Sequence, residues 1–224
     1  MFKTEYNVPA LEQPANDWPA VAGELIQARQ TVLPKRLLGP GPDAAQQHSI
    51  LAAAAAAPDH GQLLPWRFIA VPDAQRERLA EVFGQALLER DAGATPEQVA
   101  QAREKAHRAP WLMLVVVDGQ RGDPAVDVAE RILSAGCAVQ NALLMATALG
   151  FGSALTSGKA LKSDSLRALF GLQAGEQALC FVSVGTVRAL EQRHGVTQRR
   201  LAFQAVADAV AHVPMADEHV QPRI

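Results

Sequence analysis

The side chains that most often support metal or thiol chemistry are few in this sequence and widely spaced. Six histidines are scattered along the 224 residues, and neither a C-x-x-C nor an H-E-x-x-H pattern is present. The two cysteines, Cys137 and Cys180, lie within apolar runs, where an unpaired cysteine usually behaves as a small buried hydrophobic residue. We therefore expect no metal site, no disulfide framework and core positions for both cysteines.

The patterns of several nucleophilic and phosphate-binding sites are also missing. The chain contains no G-x-S-x-G or Walker A sequence, which removes the usual signals for acyl and phosphoryl transfer. Gly150-Phe151-Gly152 begins like a dinucleotide fingerprint, but it follows a predicted helix and lacks the third glycine. Glu130 is interpreted as a surface or interface carboxylate rather than a proton donor. These observations favour a protein in which a bound cofactor carries the reaction and the chain places it.

Composition limits the class of protein further. With 49% hydrophobic and 20% charged residues, the chain suits one compact domain with terminal extensions. A net charge of -2 and 5% aromatic residues do not fit a nucleic-acid partner. No apolar stretch approaches the ~18 residues of a membrane span, and the first residues lack the basic and apolar regions of a signal peptide. We therefore expect no membrane partner and a cytoplasmic location.

Hydrophobic periodicity and capping residues predict six main helices within one domain. We expect an irregular N-terminal arm over residues 1–20, a domain over 21–210 with a weakly amphipathic piece at 201–210, and a tail over 211–224. The long fifth helix carries many small residues, which predicts that it is central and buried on more than one side. The predicted helices are Val21–Arg29 with an end set by Pro34, the Asp43-capped segment through the alanine run 52–57 to Pro58, Asp73–Glu89, the Thr95-capped segment to Lys105, Ala125–Leu149, and the Ser163-capped segment to Leu169.

Four apolar runs predict strands. Trp111–Val117 is continuously apolar and ends in β-branched residues, which is typical of a strand covered on both faces at the centre of a sheet. The other predicted strands are Trp66–Val71, Ser153–Thr156 and Leu179–Val184.

A set of short motifs gives the chain a family resemblance. Ala57-Pro58-Asp59-His60, followed by Pro65-Trp66-Arg67-Phe68, resembles the FMN-dependent nitroreductase family, particularly its compact branch with an A-P-D-H loop. The resemblance covers roughly residues 25–207, with its pieces in the family's order. The other pieces are Arg29-Gln30-Thr31, the start of the central helix at Ser134–Asn141, the turn Leu149–Ser153, Ser157-Gly158, the last core strand Val182–Thr186, and the basic pair Arg199-Arg200.

The resemblance implies a fold and an activity. It implies a nitroreductase-like α+β fold, in which an antiparallel sheet is flanked by helices and the long central helix belongs to an intertwined homodimer. It also implies two FMN sites built from both subunits, with NAD(P)H as co-substrate. In the ping-pong reaction of the family, NAD(P)H passes hydride to flavin N5 and leaves, and a nitroaromatic, a quinone or a related small-molecule acceptor is then reduced in the same slot.

The resemblance also assigns candidate binding residues. It places Arg29, with one of Arg199 or Arg200, at the flavin phosphate, because guanidinium groups offer planar bidentate donors to such an anion. Hydride transfer requires placement and exclusion of water more than a protein acid, so no catalytic side chain and no metal ligand is expected. The remaining candidates are Gln30 and Thr31 as neutral donors, His60 and Gln62 in the loop near the flavin, and Leu155, Thr156 and Ser157 along the ring and its N5 side.

Several positions depart from the family pattern and leave alternatives open. Gln30 and Thr31 replace an arginine and a serine, and Leu64 stands where many members have glutamine. The next arginine of the motif is displaced to Lys35-Arg36, and Leu155-Thr156 replaces bulkier or basic residues. A flavin carrier or sensor without turnover and a scaffold that binds no flavin remain as alternatives. The sequence does not distinguish NADH from NADPH.

Overall fold

The computed structural model describes residues 17–187, which form a four-stranded antiparallel sheet with helices on both faces. The strand order is β1-β2-β4-β3, so β2 and β4 are central and β1 and β3 are the edges. The strands are β1 (Trp66–Ala70), β2 (Trp111–Asp118), β3 (Gly152–Thr156) and β4 (Glu176–Gly185). The helices are α1 (Trp18–Ala28), α2 (Ala44–Ala55), α3 (Asp73–Arg90), α4 (Pro96–Glu104), α5 (Val128–Ala148) and α6 (Asp164–Phe170).

The predicted central strand is confirmed. Every residue of β2 from Trp111 to Val117 is buried, because β1 and β4 cover its two edges and helices cover both faces. Strand β4 begins at Glu176, earlier than the predicted Leu179, because its first residues continue the pairing with β2 beyond an irregularity at Val115/Val116.

The two faces of the sheet support separate hydrophobic cores. Side chains alternate between the faces of a strand, so neighbouring residues of β2 enter different cores. The core on the α2 and α5 side contains Met113, Val115, Val182, Ile50 and Ala138. The core on the α3 and α6 side contains Leu114, Val116, Phe181, Leu79 and Leu166.

The long helix α5 packs closely against α2. Ala138, Ala142 and Ala146 are almost completely buried, and their small side chains let α2 approach. Asn141 Nδ2 donates a hydrogen bond of 3.1 Å to the carbonyl oxygen of Ala53, which fixes the two helices to each other. Within the alanine run, Ala54 is buried in this core and Ala57 packs against it, whereas Ala52, Ala55 and Ala56 are exposed. Helix α2 ends at Ala55 rather than at Pro58.

The first helix differs from the prediction at both ends. It begins at Trp18, where the Asp17 side chain accepts a hydrogen bond from the Ala20 N–H, so the last residues of the expected arm are helical. It ends at Ala28, because Arg29 adopts extended backbone (φ -61°, ψ 121°) before the chain pairs with β3. The prediction that Pro34 ends this helix was wrong, since Pro34 begins a separate short 3₁₀ turn.

The capping predictions are confirmed. Asp43 and Thr95 each form a capping box with a glutamine three residues later, and Ser163 accepts a hydrogen bond from the Leu166 N–H. None of the described helices is long and apolar enough to cross a membrane. Residues 1–16, the piece at 201–210 and the tail at 211–224 lie outside the described residues.

Candidate functional site

The motif Arg29-Gln30-Thr31 lies along the edge strand β3. Thr31 forms a parallel β-bridge with Ser153, and the Val32 N–H donates a hydrogen bond of 2.9 Å to the Ser153 carbonyl oxygen. Thr31 is exposed, whereas Arg29 and Gln30 are half-buried. This pairing places Thr31 roughly 10 Å along the strand from Thr156, at about 3.3 Å per residue.

The three predicted residues at the end of β3 do not share one face. Thr156 pairs with Phe181 and therefore points toward the α3 side of the sheet, whereas Leu155 pairs with Val182 on the α5 side. The Leu155 side chain is 48% exposed. Ser157 follows the strand and is exposed. The strand alternation thus separates Leu155 from Thr156, and Ser157 lies beyond the strand.

Thr156 and Ser157 border an open cavity of about 730 Å³. It lies between the end of β3, helices α3 and α4, and the 3₁₀ turn that follows Thr31. Two of the predicted site residues therefore adjoin a space large enough for a small molecule.

The loop that carries His60 is held by a side-chain hydrogen bond and has an unusual backbone conformation. Asp59 Oδ2 accepts a hydrogen bond of 2.6 Å from the Leu64 N–H. Gln62 and Leu64 have positive φ angles of 55° and 44°, which are uncommon for residues other than glycine and persist only where the surroundings impose them. Leu64, which stands where the resembled family often has glutamine, therefore adopts an unusual backbone conformation.

Ser134 of helix α5 connects this loop to strand β1. Its Oγ donates a hydrogen bond of 2.8 Å to the Pro58 carbonyl oxygen and accepts one of 3.0 Å from Trp66 Nε1. The motif residues Pro58, Trp66 and Ser134, which lie far apart in the sequence, therefore form one connected unit.

His60 interacts with Glu130 in the first turn of α5. The Nδ1–Oε2 distance is 2.8 Å, and the side chains are 63% and 51% exposed. The hydrogen bond and charge of Glu130 raise the pKa of His60 above its ordinary value of 6.5, with smaller contributions from Asp123 and Asp59. Glu130 is an exposed carboxylate, as expected, but its partner was not predicted, because no local signal joins positions so distant in the sequence.

Arg131, next to Glu130, is buried and was not singled out from the sequence. It is 1% exposed and donates hydrogen bonds to backbone carbonyl oxygens only. These interactions shape the loop between β2 and α5, in which Gly122 packs against Leu63 of the His60 loop. In the sequence, an arginine in a charged helical turn is typical of a surface position, so only the fold identifies this role. The four acceptors are the carbonyls of Asp118, Arg121, Asp123 and Val126.

The structure assigns no reactive role to Cys180. The residue is 5% exposed, and burial raises the pKa of its thiol to about 11, so the thiol stays protonated at neutral pH. Cys137 is half-buried on α5. Among residues 17–187, no group of three or more His, Cys, Asp or Glu side chains could hold a metal ion.

The candidate residues fall into two groups at different edges of the sheet. Arg29–Thr31 and Thr156–Ser157 lie at the β3 edge, whereas His60 and Gln62 precede β1 at the other edge. Three interstrand spacings separate these edge strands, or about 14 Å. Arg199 and Arg200 lie outside the described residues.

Sequence and structure comparisons identify the family. The family model described as "Nitroreductase family" matches residues 26–186. The chain belongs to the nitroreductase family. This membership confirms the resemblance and the α+β, nitroreductase-like fold, and it makes the chain an oxidoreductase of the nitroreductase type.

Relatives and solved structures support the same assignment. This nitroreductase-family chain is 36% identical to a Haemophilus influenzae protein named "Putative NAD(P)H nitroreductase", with alignment over 68% of this chain and 82% of the relative. It is 34% identical to the Escherichia coli K12 protein named "Putative NAD(P)H nitroreductase YdjA", over 73% of this chain and 86% of the relative. The FMN-dependent nitroreductase NfnB from Mycobacterium smegmatis, solved in complex with NADPH, is similar in fold. Its TM-score is 0.61 at 18% identity, with 81% of this chain and 97% of that chain covered.

Proposed function

We propose that this protein is an FMN-dependent oxidoreductase that transfers hydride from NAD(P)H to nitroaromatic, quinone or similar small-molecule acceptors by a ping-pong mechanism. The observation that carries the proposal is the pairing of Thr31 with Ser153. This pairing brings the Arg29-Gln30-Thr31 segment to the same sheet edge as Thr156 and Ser157, and the latter two residues line an open cavity. The printed names of the relatives and of NfnB support the choice of NAD(P)H and FMN.

The residues at this edge fit the chemistry of FMN. Arg29 would hold the phosphate through charged hydrogen bonds, with Gln30 and Thr31 as neutral donors and one of Arg199 or Arg200 as a second cation. Thr156 and Ser157 would border the flavin ring. When bound, FMN supplies the capacity to accept hydride from NAD(P)H and deliver it to the acceptor.

The chain itself contributes placement and exclusion of water. The pairing of Thr31 with β3 fixes the phosphate-binding segment relative to Thr156, so the two ends of an elongated ligand would be held in a defined orientation. The apolar residues Phe83 and Phe181 line the same cavity as Thr156 and would limit contact of water with a ligand on that side. Hydride transfer in this arrangement requires no protein acid.

The proposal includes a homodimer. His60 and Gln62 lie beyond the β1 edge, so a second copy is the simplest means of bringing them to the Thr156 site. Exposed apolar residues on α1, α2 and α5 provide a surface for that copy. They are Trp18, Val21, Ile26, Leu51, Val128, Ile132 and Leu133.

A substitution in α5 tests the dimer. Leu133 is 68% exposed, and Leu133→Glu should shift the protein to a monomer in sedimentation velocity and weaken FMN retention. Leu88 on α3 is 45% exposed and lies outside the proposed interface, so Leu88→Glu should leave the sedimentation coefficient unchanged. A wild-type monomer that retains FMN would contradict this part of the proposal.

The visible absorption spectrum of the protein purified without added flavin tests the central proposal. The expected result is an oxidised-flavin spectrum that bleaches on anaerobic addition of NADPH or NADH and recovers on addition of a quinone. A bound flavin that stays oxidised with excess NAD(P)H would identify a carrier or sensor. A colourless protein that does not retain added FMN on gel filtration would identify a scaffold without flavin.

The proposal also covers the organisation of the chain. Residues 21–210 form the FMN-binding domain, residues 1–20 form an arm and residues 211–224 form a tail. The protein is located in the cytoplasm. Limited proteolysis followed by mass spectrometry tests the division, with early cleavage expected only within the arm and the tail. Fractionation of the source cells tests the location.

A further inference from the structure

A group of basic side chains surrounds the cavity beside Thr156, and the proposed reaction gives them no role. The cavity lies between α3, α4 and the turn after β3, and its volume of about 730 Å³ is typical of small-molecule sites. The residues that line the interior of the cavity are largely apolar. The apolar lining residues include Leu33, Phe83, Leu87, Leu112, Leu161 and Phe181.

The cations come from four separate segments of the chain. One follows α1, one ends α3, two follow α4, and one follows β3, so the fold alone brings them together. They are Lys35, Arg90, Lys105, Arg108 and Lys159. The cavity lining contains one carboxylate, that of Glu104, which accepts a hydrogen bond of 2.9 Å from Arg108 Nη2. Because the whole chain has a net charge of -2, this excess of positive charge is local.

The electrostatic effects of three of these cations overlap at Glu104. Hydrogen bonding and charge from Arg108 lower the pKa of Glu104, and the charges of Lys35 and Lys105 lower it further. Four of the cations form no ion pair with any described residue. They are Lys35, Arg90, Lys105 and Lys159. Cations that converge without matching carboxylates create a positive potential that attracts an anion. The cavity therefore combines an apolar interior with an anion-attracting rim.

We propose that this cavity binds an anionic substrate, with an aromatic or aliphatic body against Phe83 and Phe181 and a carboxylate or phosphate group at Lys35 and Lys105. The apolar interior favours a small anionic electron acceptor as the source of this group. The 2′-phosphate of NADPH has the same chemistry and is the second source to be distinguished. The inference rests on the proposed function, because Thr156 and Ser157 on the cavity edge are the residues proposed to border the flavin.

Equilibrium binding of unreactive probes tests the cavity without turnover. Isothermal titration of the protein as purified, with its flavin content measured, should show tighter binding of benzoate than of the neutral isostere benzamide. Added NaCl should weaken benzoate binding and leave benzamide binding unchanged, because salt screens exposed charges. Equal affinity for the two probes at low salt would overturn the proposal, whether or not the protein contains FMN.

Substitutions of two exposed cations assign the effect to this cavity. The double variant Lys35→Gln/Lys105→Gln should reduce benzoate affinity by roughly tenfold, the size of one charge-assisted interaction, without changing benzamide affinity. The matched control is Arg78→Gln, which removes an exposed arginine of α3 that does not line the cavity. An equal loss of affinity for both probes in the double variant would contradict the proposal, and unfolding is detected by circular dichroism.

Steady-state kinetics of the flavin-loaded protein separate the sources of the anion. A fall in the kcat/KM ratio for 4-nitrobenzoate over 4-nitrobenzamide would place the acceptor in the cavity, and a fall in the ratio for NADPH over NADH would place the nucleotide phosphate there. If the double variant loses FMN while both ratios stay constant, the cavity serves the flavin phosphate and the proposal is wrong. A protein that binds no FMN would refute the proposed function, and the benzoate titration would still decide the anion site.

Discussion

His60 Nδ1 lies 2.8 Å from Glu130 Oε2, although the two residues are 70 positions apart in the chain. The contact joins the loop before β1 to the first turn of α5. Both side chains remain exposed, so each is also accessible to solvent and to a second subunit. This pair therefore links the pH of the solution to a loop in the proposed flavin site.

Removal of the Glu130 charge should lower the pKa of His60. The hydrogen bond and the charge of Glu130 are the two largest causes of the raised pKa of His60. Glu130→Gln should therefore return this pKa toward the ordinary 6.5 in a titration followed by NMR of the imidazole. Asp123→Asn, which removes a lesser contribution, should produce a smaller decrease. An unchanged His60 pKa in Glu130→Gln would show that the contact is absent in solution.

The same pair gives a signed dependence of stability on pH. Because the folded-state pKa of His60 is raised, the contribution of the pair is fully present below pH 6.5 and is lost as the pH rises through the raised value. The difference between wild type and His60→Gln in the urea midpoint should therefore shrink from pH 5.5 to alkaline pH. A difference that grows with pH would contradict the assignment.

Ser134→Ala should destabilise the fold by about 1–3 kcal/mol, because it leaves the partly buried Trp66 indole N–H and the Pro58 carbonyl without their partner. Urea denaturation followed by tryptophan fluorescence measures the change. Ser49→Ala is the control, since Ser49 is half-buried and its solvent-exposed hydrogen bond lies within α2, so the expected change is about 0.5 kcal/mol or less. Equal effects in the two variants would remove the special role of Ser134.

Arg131→Met should cost about 3–5 kcal/mol, because several buried carbonyl groups lose a charged donor together. The loop between β2 and α5 should also become sensitive to proteases, which mass spectrometry of the fragments detects. The neighbouring Arg121 has an exposed side chain, and Arg121→Met should behave like wild type in both experiments. A stable Arg131→Met variant with a protease-resistant loop would refute the positioning role.

Gly122→Ala should destabilise the protein through strain and a steric clash. Gly122 has a φ angle of +71°, and an added Cβ would overlap Leu63 Cδ2. The double variant Gly122→Ala/Leu63→Ala should recover part of the loss relative to the sum of the single variants, as measured by a urea double-mutant cycle. Strict additivity would show that the two loops do not contact each other in solution.

Arg29→Ala should weaken FMN binding through loss of a charged phosphate contact of roughly 1.5–3 kcal/mol, or about 10- to 150-fold in Kd. Fluorescence titration of the flavin-free protein with FMN measures the effect. Arg78→Ala on α3 is the charge-matched control and should bind FMN like wild type. Unchanged FMN affinity in Arg29→Ala would remove that residue from the proposed site.

Local signals in the sequence were sufficient for most helix starts and for the core strand. Asp43, Thr95 and Ser163 cap their helices through contacts with residues three positions later, so the relevant chemistry lies within one turn. Residues Trp111–Val117 of β2 are all apolar, as expected for a strand whose two faces are covered. The ordered motifs were likewise sufficient for the family.

Contacts between distant segments were decided by the tertiary structure. Helix α1 ends at Ala28 because the next residues pair with β3, and His60 finds its acidic partner in α5. The basic cavity is assembled from segments between positions 35 and 159, none of which carries a binding signature alone. Capping and alternation follow from the backbone of a few neighbouring residues, whereas charge convergence and partner choice depend on the distances that the packed sheet and helices impose.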